Sequence, residues 1–289
     1  MLRSPAEGRK HEAVHSRHQP HPIGGSPVEA FANSVDLARH AERLGYQRIW
    51  FAEHHGVSAS TASSTHEVLV ARAAALTDRI RVGSGVVQLN HYSPFKVAEA
   101  FTVLYAMSLG RIDLGIGRAS SAPALDFALR RVRSDVPVDD YAEQVAEVLA
   151  WLYDAFPDGH PFAGHPLLPG VADRPQPWLL GSSTQSAVLA GRLGMRYGFA
   201  GSANPRASRA AAQTFAEQFR LSGLAGSPAE PYFMYTMRVA VGATQEEGDR
   251  LRAPADLFHQ WLRRESCGQR RCRTRTRRSP PSAESRGRA

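Results

Sequence analysis

Ile49-Trp-Phe-Ala-Glu-His-His-Gly56, Ile80-Arg-Val-Gly-Ser-Gly-Val-Val87 and Gly110-Arg-Ile-Asp-Leu-Gly-Ile-Gly-Arg118 decide the fold of this chain. Each is a short, apolar, β-branched run that ends in Gly, His or Arg, and amphipathic helical stretches separate them. Strand, polar turn, helix, strand is the pattern of a parallel α/β sheet or barrel. The chemically capable residues follow each strand directly, where α/β folds carry their active sites.

The length of 289 residues suits one α/β barrel or two smaller domains. The net charge of +8 belongs to one segment. From Arg263 onward there are ten Arg against Glu265 and Glu284, so the remainder of the chain is neutral. A basic nucleic-acid-binding face is therefore not expected. Cys267 and Cys272 are the only cysteines, too few for a disulfide framework or a metal set. No apolar run reaches membrane-span length, and the N-terminal stretch has charges and histidines but no apolar signal core. A cytoplasmic protein is the expectation.

Residues 1 to about 25 are rich in His, Pro, Arg and Gly, without periodicity. Ser26-Pro27-Val28-Glu29 then reads as an N-cap, a first-turn proline and a capping box. Phe31, Val35, Ala38, Ala41 and Leu44 form the expected buried stripe, and Gly45 the stop. Beyond it the pattern gives strands over Arg48–Ala52, Ile80–Val87, Arg111–Ile116, Pro177–Leu180, Arg196–Ala200 and Pro231–Val241. Helices fall between them, over His66–Leu76, Pro94–Leu109, Val138–Ala155, a segment running to Leu193, and Pro205–Leu221, with Gln245–Leu262 last. No strand is expected before the first helix or after the last. Eight parallel strands close a (β/α)8 barrel, so the first and last are expected to be missing.

Four features carry chemistry. Glu53-His54-His55 follows a buried strand, and neighbouring residues there point opposite ways, so one histidine can face the lumen as a base or hydrogen-bond donor. The bland alternative is a loop histidine without a role, and the spacing does not favour zinc. Gly83-Ser84-Gly85 inside a strand suits close approach of a backbone or flat ligand, or else a bulge. Gly117-Arg118 ends a strand with a guanidinium fit for phosphate, or for a surface ion pair. It lacks the third glycine and acid of a dinucleotide fingerprint. Gly181–Ser186 is an anion cradle at a helix start, or simple capping by Ser182 or Ser183. Together, at strand C-termini, the four suggest a flat aromatic cofactor with one phosphate.

Ala52-Glu-His-His-Gly56, Gly83-Ser-Gly-Val-Val87, Gly110–Arg118 and Leu180-Gly-Ser-Ser183 resemble the bacterial luciferase-like flavin monooxygenases, from about Gly25 to Leu262. The resemblance implies a (β/α)8 barrel that binds FMN and uses reduced flavin and dioxygen to oxidise a small organic substrate. It makes His54 the catalytic histidine, stabilising the oxygen adduct or acting as base. Gly85-Val86 becomes the site of a non-proline cis peptide under the flavin ring. Arg118 and the turn Ser182, Ser183, Ser186 become the phosphate anchor, and Glu53 and Ser84 join the cofactor-binding set. Gly117 departs from luciferase, which has a reactive cysteine there, so light emission is not implied. A flavin reductase is the implied partner, and a homodimer is the form of many relatives. A deazaflavin is the alternative cofactor, and a non-catalytic FMN-binding remnant the alternative function.

The two ends do not fit this family. It begins with a strand like Leu-Asp-x-Ser-Pro-Ile-Pro, where this chain has His15-Ser-Arg-His-Gln-Pro-His-Pro22. Back-translated and read one base later, those residues can encode Thr-Leu-Asp-Ile-Ser-Pro-Ile. The expectation is a shifted frame before about Ile23, and another after about Glu265 in an Arg-rich, disordered tail (263–289). The domain expectation is thus an irregular segment over 1–25, a barrel domain over 26–262, and that tail. With both barrel edges open, poor solubility or weak flavin binding is expected.

Overall fold

The computed structural model describes residues 25–55, 64–118, 123–130, 139–257 and 260, together with the backbone of 14–17. They divide into two compact units, Met1–Thr236 and Met237–Ala289. The first unit holds strands β1 (Val14–Arg17), β2 (Arg48–Phe51), β3 (Arg81–Ser84), β4 (Val87–Gln88), β5 (Ile112–Gly117), β6 (Gln176–Gly181), β7 (Arg196–Phe199) and β8 (Phe233–Tyr235). Its helices are α1 (Pro27–Arg43), α2 (His66–Ala74), α3 (Pro94–Met107), α4 (Pro123–Leu129), α5 (Tyr141–Tyr153), α6 (Thr184–Arg192) and α7 (Ser208–Gln218), with single 3₁₀ turns at Leu89–His91 and Pro205–Ala207.

The strands form one sheet in the order β1-β2-β3-β5-β6-β7-β8, with β4 also on β5, and every pairing is parallel. Helices return the chain between strands, as parallel pairing requires. This is a partial (β/α) barrel: β1 and β8 are its two ends, and no pairing joins them among the described residues.

Two expectations about its edges are corrected. A strand does precede the first helix, with Val14 opposite Arg48 and Arg17 opposite Phe51. An edge strand needs only backbone donors and acceptors, so it left no apolar alternation in the sequence to detect. The expected strand Pro231–Val241 shrinks to Phe233–Tyr235. In the second unit, Met237, Val239 and Val241 are exposed and lie in no strand. Alternation marks residues able to pleat, but a strand also needs a partner edge. That unit continues with a helix over 245–257, opened by a Thr244–Glu247 box in which Glu247 N–H donates to Thr244 Oγ1 at 3.2 Å and Ala243 N–H to Glu247 Oε2 at 2.8 Å.

The α1 capping box forms as read: Glu29 N–H donates to Ser26 Oγ at 3.2 Å and Ser26 N–H to Glu29 Oε2 at 2.8 Å. The buried stripe differs, consisting of Ala30, Ser34, Ala38 and Ala41, while Phe31 and Leu44 are exposed. Small side chains at this spacing let the helix axis lie close to its neighbours. A further helix, α4, lies between Arg111–Ile116 and Val138–Ala155, where the sequence pattern gives no element.

Alternation along the strands sorts the two sheet faces. Ile49, Phe51, Val82, Ile112, Leu114, Ile116, Leu179, Tyr197 and Phe199 join the helices in one continuous apolar core. The opposite, lumen face is layered. At its floor Asp113, fully buried, accepts from Arg48 Nη1 at 2.9 Å and Arg81 Nε at 2.7 Å, and Arg48 also donates to Gln176 Oε1 at 2.8 Å. Above the floor Trp50 and Trp178 meet edge-to-face at 5.1 Å, and Trp50 Nε1 donates down to Asp113 at 2.9 Å. Above the tryptophans come Gly85, against Trp50, and Gly117, against the Val86 side chain, at the C-terminal edge of the sheet. No helix among the described residues is long and apolar enough to cross a membrane.

Candidate active site

Register places the candidate residues at one edge. Phe51 pairs with Ser84, Val87 with Ile116, and Ile116 with Leu179. One to four residues beyond Phe51, Ser84, Ile116 and Leu179 lie Glu53-His54, Gly85-Val86, Arg118 and the Gly181–Ser183 turn. Four consecutive strand positions of a parallel sheet thus deliver them to its C-terminal edge.

The Gly85–Val86 peptide is cis, at the position the resemblance indicated. It divides what had been read as one strand, Ile80–Val87, into β3 and β4. Gly85 N–H donates to Phe51 O at 2.8 Å. A Cβ on Gly85 would lie 3.0 Å from Trp50 Cβ. A Cβ on Gly117 would lie 2.8 Å and 2.9 Å from the Val86 methyls, so Val86 fills the space a side chain at 117 would need.

Glu53 and Ser84 are both held by bonds within the protein. Glu53 is buried, and its carboxylate is taken up by protein: Tyr92 OH donates to Oε1 at 2.6 Å, His55 Nε2 lies 2.6 Å from the same oxygen, and Gln88 N–H donates to Oε2 at 2.8 Å. His66 Nδ1 stands 3.7 Å from Oε2. Glu53 therefore braces the edge. Ser84, fully buried, uses its hydroxyl to donate to Gly115 O at 3.0 Å and to accept Gly115 N–H at 2.9 Å. It ties β3 to β5 where the ladder breaks.

His54 is half-buried at the mouth. Burial lowers its pKa below the usual histidine value, the Glu53 charge opposes that shift and His55 adds to it. Its imidazole is therefore neutral at pH 7. The Tyr92 phenol is pushed up by burial, by the Glu53 charge and by its bond to that carboxylate, so it stays a donor.

Arg118 is exposed and donates to Asp139 Oδ1 at 2.7 Å, with its guanidinium 6.0 Å from the Tyr141 ring centroid. Ser183 is the N-cap of α6, and with Ser186 it forms a reciprocal capping box. Both bland alternatives, a surface ion pair and a cap, are thus present. They leave the backbone N–H groups of Thr184 and Gln185 at the helix start, beside Ser182. The Ser186 hydroxyl also lies 2.9 Å from Tyr197 OH, and any Cβ on Gly181 would overlap it. A flat ring against the glycine layer and a phosphate at this turn fit the residues present.

Tyr92, Gln88, His66, His91 and Trp50 are the site residues that the motifs missed. Asn90-His91-Tyr92 after an apolar strand was the available signal, obscured because the strand is interrupted.

The chain belongs to the luciferase-like monooxygenase family, whose pattern matches residues 12–288. A luciferase-like monooxygenase of Escherichia coli is 36% identical over 251 residues, 86% of this chain and 72% of that protein. An N-acetyl-S-alkylcysteine monooxygenase of Bacillus subtilis is 41% identical over 177 residues, 61% of this chain and 53% of the relative. Among solved structures, apo-MsnO8 superposes with a TM-score of 0.77 at 37% identity, covering 88% of this chain and 73% of that one. The fold is also that of the oxygenating component of 3,6-diketocamphane monooxygenase from Pseudomonas putida in complex with FMN, with a TM-score of 0.67, 20% identity and coverages of 87% and 74%. An F420-dependent secondary alcohol dehydrogenase shares it more distantly, at 0.54 and 17%, over 77% and 66%.

Proposed function

We propose that this chain is the oxygenating component of a two-protein system, using reduced FMN and dioxygen to oxidise a small organic substrate. The observation that carries the reading is the convergence of His54, the Gly85–Val86 cis peptide, Arg118 and the Ser182–Ser186 turn on one edge of four adjacent strand positions. Membership of a monooxygenase family and an FMN-bound structural relative support it. Bound reduced FMN would supply the electrons that dioxygen accepts.

The protein's own part is to seat, orient and exchange protons. The Gly85–Val86 cis peptide would give the ring a ledge, with Trp50 packed against Gly85 and Val86 against Gly117. Thr184 and Gln185 N–H, the Ser182 hydroxyl and Arg118 hold the phosphate, and Arg118 must exchange Asp139 for it. His54, neutral at working pH, can accept a proton at the reacting edge or donate its ring N–H there. Glu53 positions His54 by fixing the residue next to it. A separate reductase delivers the flavin, and the protein works in the cytoplasm.

Anaerobic titration with reduced FMN, followed by mixing with dioxygen, tests this reading. Micromolar binding and an altered rate of flavin reoxidation, dependent on His54, are expected. Preference for a reduced deazaflavin over FMN, or no binding of either, would overturn it. A second reading is an FMN-binding remnant without turnover, since no pairing joins β1 to β8 among the described residues. Binding with reoxidation unchanged from free flavin would select it.

A further inference from the structure

Beside His54, a carboxylate and two imidazoles converge. Glu53, His55 and His91 each offer one ligand atom, and these atoms lie within 4.8 Å of one another. The three come from the end of β2 and the 3₁₀ turn after β4, elements held together by the two Glu53–Gln88 hydrogen bonds. We propose that they form a binding site for one divalent first-row transition-metal ion, of the zinc or ferrous type.

The state of His91 carries the argument. Its Nε2–H donates to Asp126 Oδ1 at 3.2 Å, which leaves Nδ1 as the lone-pair nitrogen. That Nδ1 is buried and has no hydrogen-bond partner, and the side chain has no exposed surface. A buried acceptor without a donor is costly, and a cation removes the cost. A carboxylate that takes the far N–H of a histidine is also the usual support of a metal-ligating imidazole, fixing its tautomer and raising its basicity.

The other two members have suitable chemistry. The His55 Nε2 and Glu53 Oε1 atoms, 2.6 Å apart, share a proton that a metal ion would displace. Glu53 is a buried carboxylate whose ion-pair partners among the described residues are His55 and His66. A further positive charge is thus well placed there. Two imidazoles and one carboxylate form a ligand set used by zinc and by non-haem iron. Soft copper(I) would need thiolate or thioether ligands, and calcium or magnesium would need more oxygen.

The test is calorimetric titration of untagged, chelator-dialysed protein with Zn²⁺ alone, with visible absorption of a Co²⁺ complex as a second readout. One equivalent is expected to bind, and His55→Gln or His91→Gln should abolish it. Asp126→Asn, at a partly exposed site and outside the ligand set, should weaken binding by about tenfold to a hundredfold without unfolding the protein. Exposed-histidine controls, His40→Gln and His165→Gln, should change nothing, and nor should the Cys267→Ser, Cys272→Ser double variant. The site is overturned by absence of saturable binding, by binding indifferent to both His91→Gln and Asp126→Asn, or by binding that disappears with the cysteines.

Discussion

Glu53 and Gln88 bind each other twice: the Gln88 backbone N–H donates to Glu53 Oε2 at 2.8 Å, and the Gln88 side-chain amide donates to the Glu53 carbonyl at 2.7 Å. The end of β2, which carries His54, is thereby fixed to β4, which follows the Gly85–Val86 peptide. Replacing Glu53 by Gln puts an amide donor among the Tyr92 hydroxyl, the His55 ring and the Gln88 N–H. At one to three kcal/mol for each buried donor left without an acceptor, the loss should total about 3 kcal/mol. Urea unfolding followed by tryptophan fluorescence measures it. A midpoint within error of the parent would show that Glu53 is not a brace.

The floor of the lumen offers a second, independent test. Asp113 accepts from Arg48, Arg81 and Trp50 with no exposure to water. Asp113→Ala leaves two buried or half-buried guanidinium groups without their anion, and breaking a buried pair from one side costs about 3–5 kcal/mol. The same urea experiment should show a loss of that size, larger than for Glu53→Gln. A loss below about 1 kcal/mol would mean that solvent or other acceptors take over.

How far the sequence revealed this architecture depended on distance along the chain. β2, β3, β5, β6 and β7 were legible because each is an apolar run whose alternate residues enter one core. The cap of α1 was legible because Ser26, Pro27 and Glu29 are neighbours. The bracing bonds of Glu53 were hidden because its partners Gln88 and Tyr92 lie 35 and 39 residues away and no local pattern joins them. The tie made by Ser84 was hidden for the same reason, its partner Gly115 being 31 residues on. β1 was invisible because an edge strand is written in backbone bonds rather than side chains. The grouping of His55 with His91 was equally hidden, since only folding brings them together.

Gly117 faces Val86 so closely that any Cβ there meets both methyls. Valine is stiff about χ1 and cannot rotate away freely. Gly117→Ala should therefore cost about 1–3 kcal/mol by overpacking and weaken FMN binding, because Val86 must move from its place beside the glycine layer. Adding Val86→Ala should restore both stability and affinity. Flavin titration and urea unfolding of the single and double variants decide the matter. If the second substitution worsens the first, the two sites do not compete for the same space.

Glu42 gives a pH dependence with a definite sign. Its Oε1 accepts N–H bonds from Asp78, Arg79 and Ile80 at 3.0, 2.6 and 2.9 Å, stapling the end of α1 to the turn before β3. Burial alone would raise its pKa, but the three backbone donors, with the Arg79 charge, bring it below the ordinary carboxylate value. A folded pKa below the unfolded one means that the unfolded chain binds more protons as the solution is acidified. The stabilisation is thus complete above the ordinary carboxylate pKa and is lost as pH falls through the lowered one. Thermal unfolding between pH 6 and pH 3 should show a steeper acid decline for the parent than for Glu42→Gln. Parallel curves would remove Glu42 from the account.

The phosphate anchor can be separated from ring binding by comparing FMN with riboflavin, which differ only in the phosphate. Ser183 serves α6 as its N-cap, so Ser183→Ala loses about 1 kcal/mol of stability by cap removal alone. That loss by itself says nothing about cofactor. Arg118→Ala removes an exposed ion pair with Asp139, which contributes little to folding. It should leave the urea midpoint unchanged, yet a charge-assisted bond to phosphate is worth about 1.5–3 kcal/mol, tenfold or more in affinity. The expected result is that Arg118→Ala weakens FMN at least tenfold while riboflavin binding holds, so the preference for FMN shrinks by that factor. If both flavins weaken together, Arg118 shapes the pocket instead of holding the phosphate. If neither weakens, its partner is Asp139 alone, and the anchor must be sought in the α6 turn.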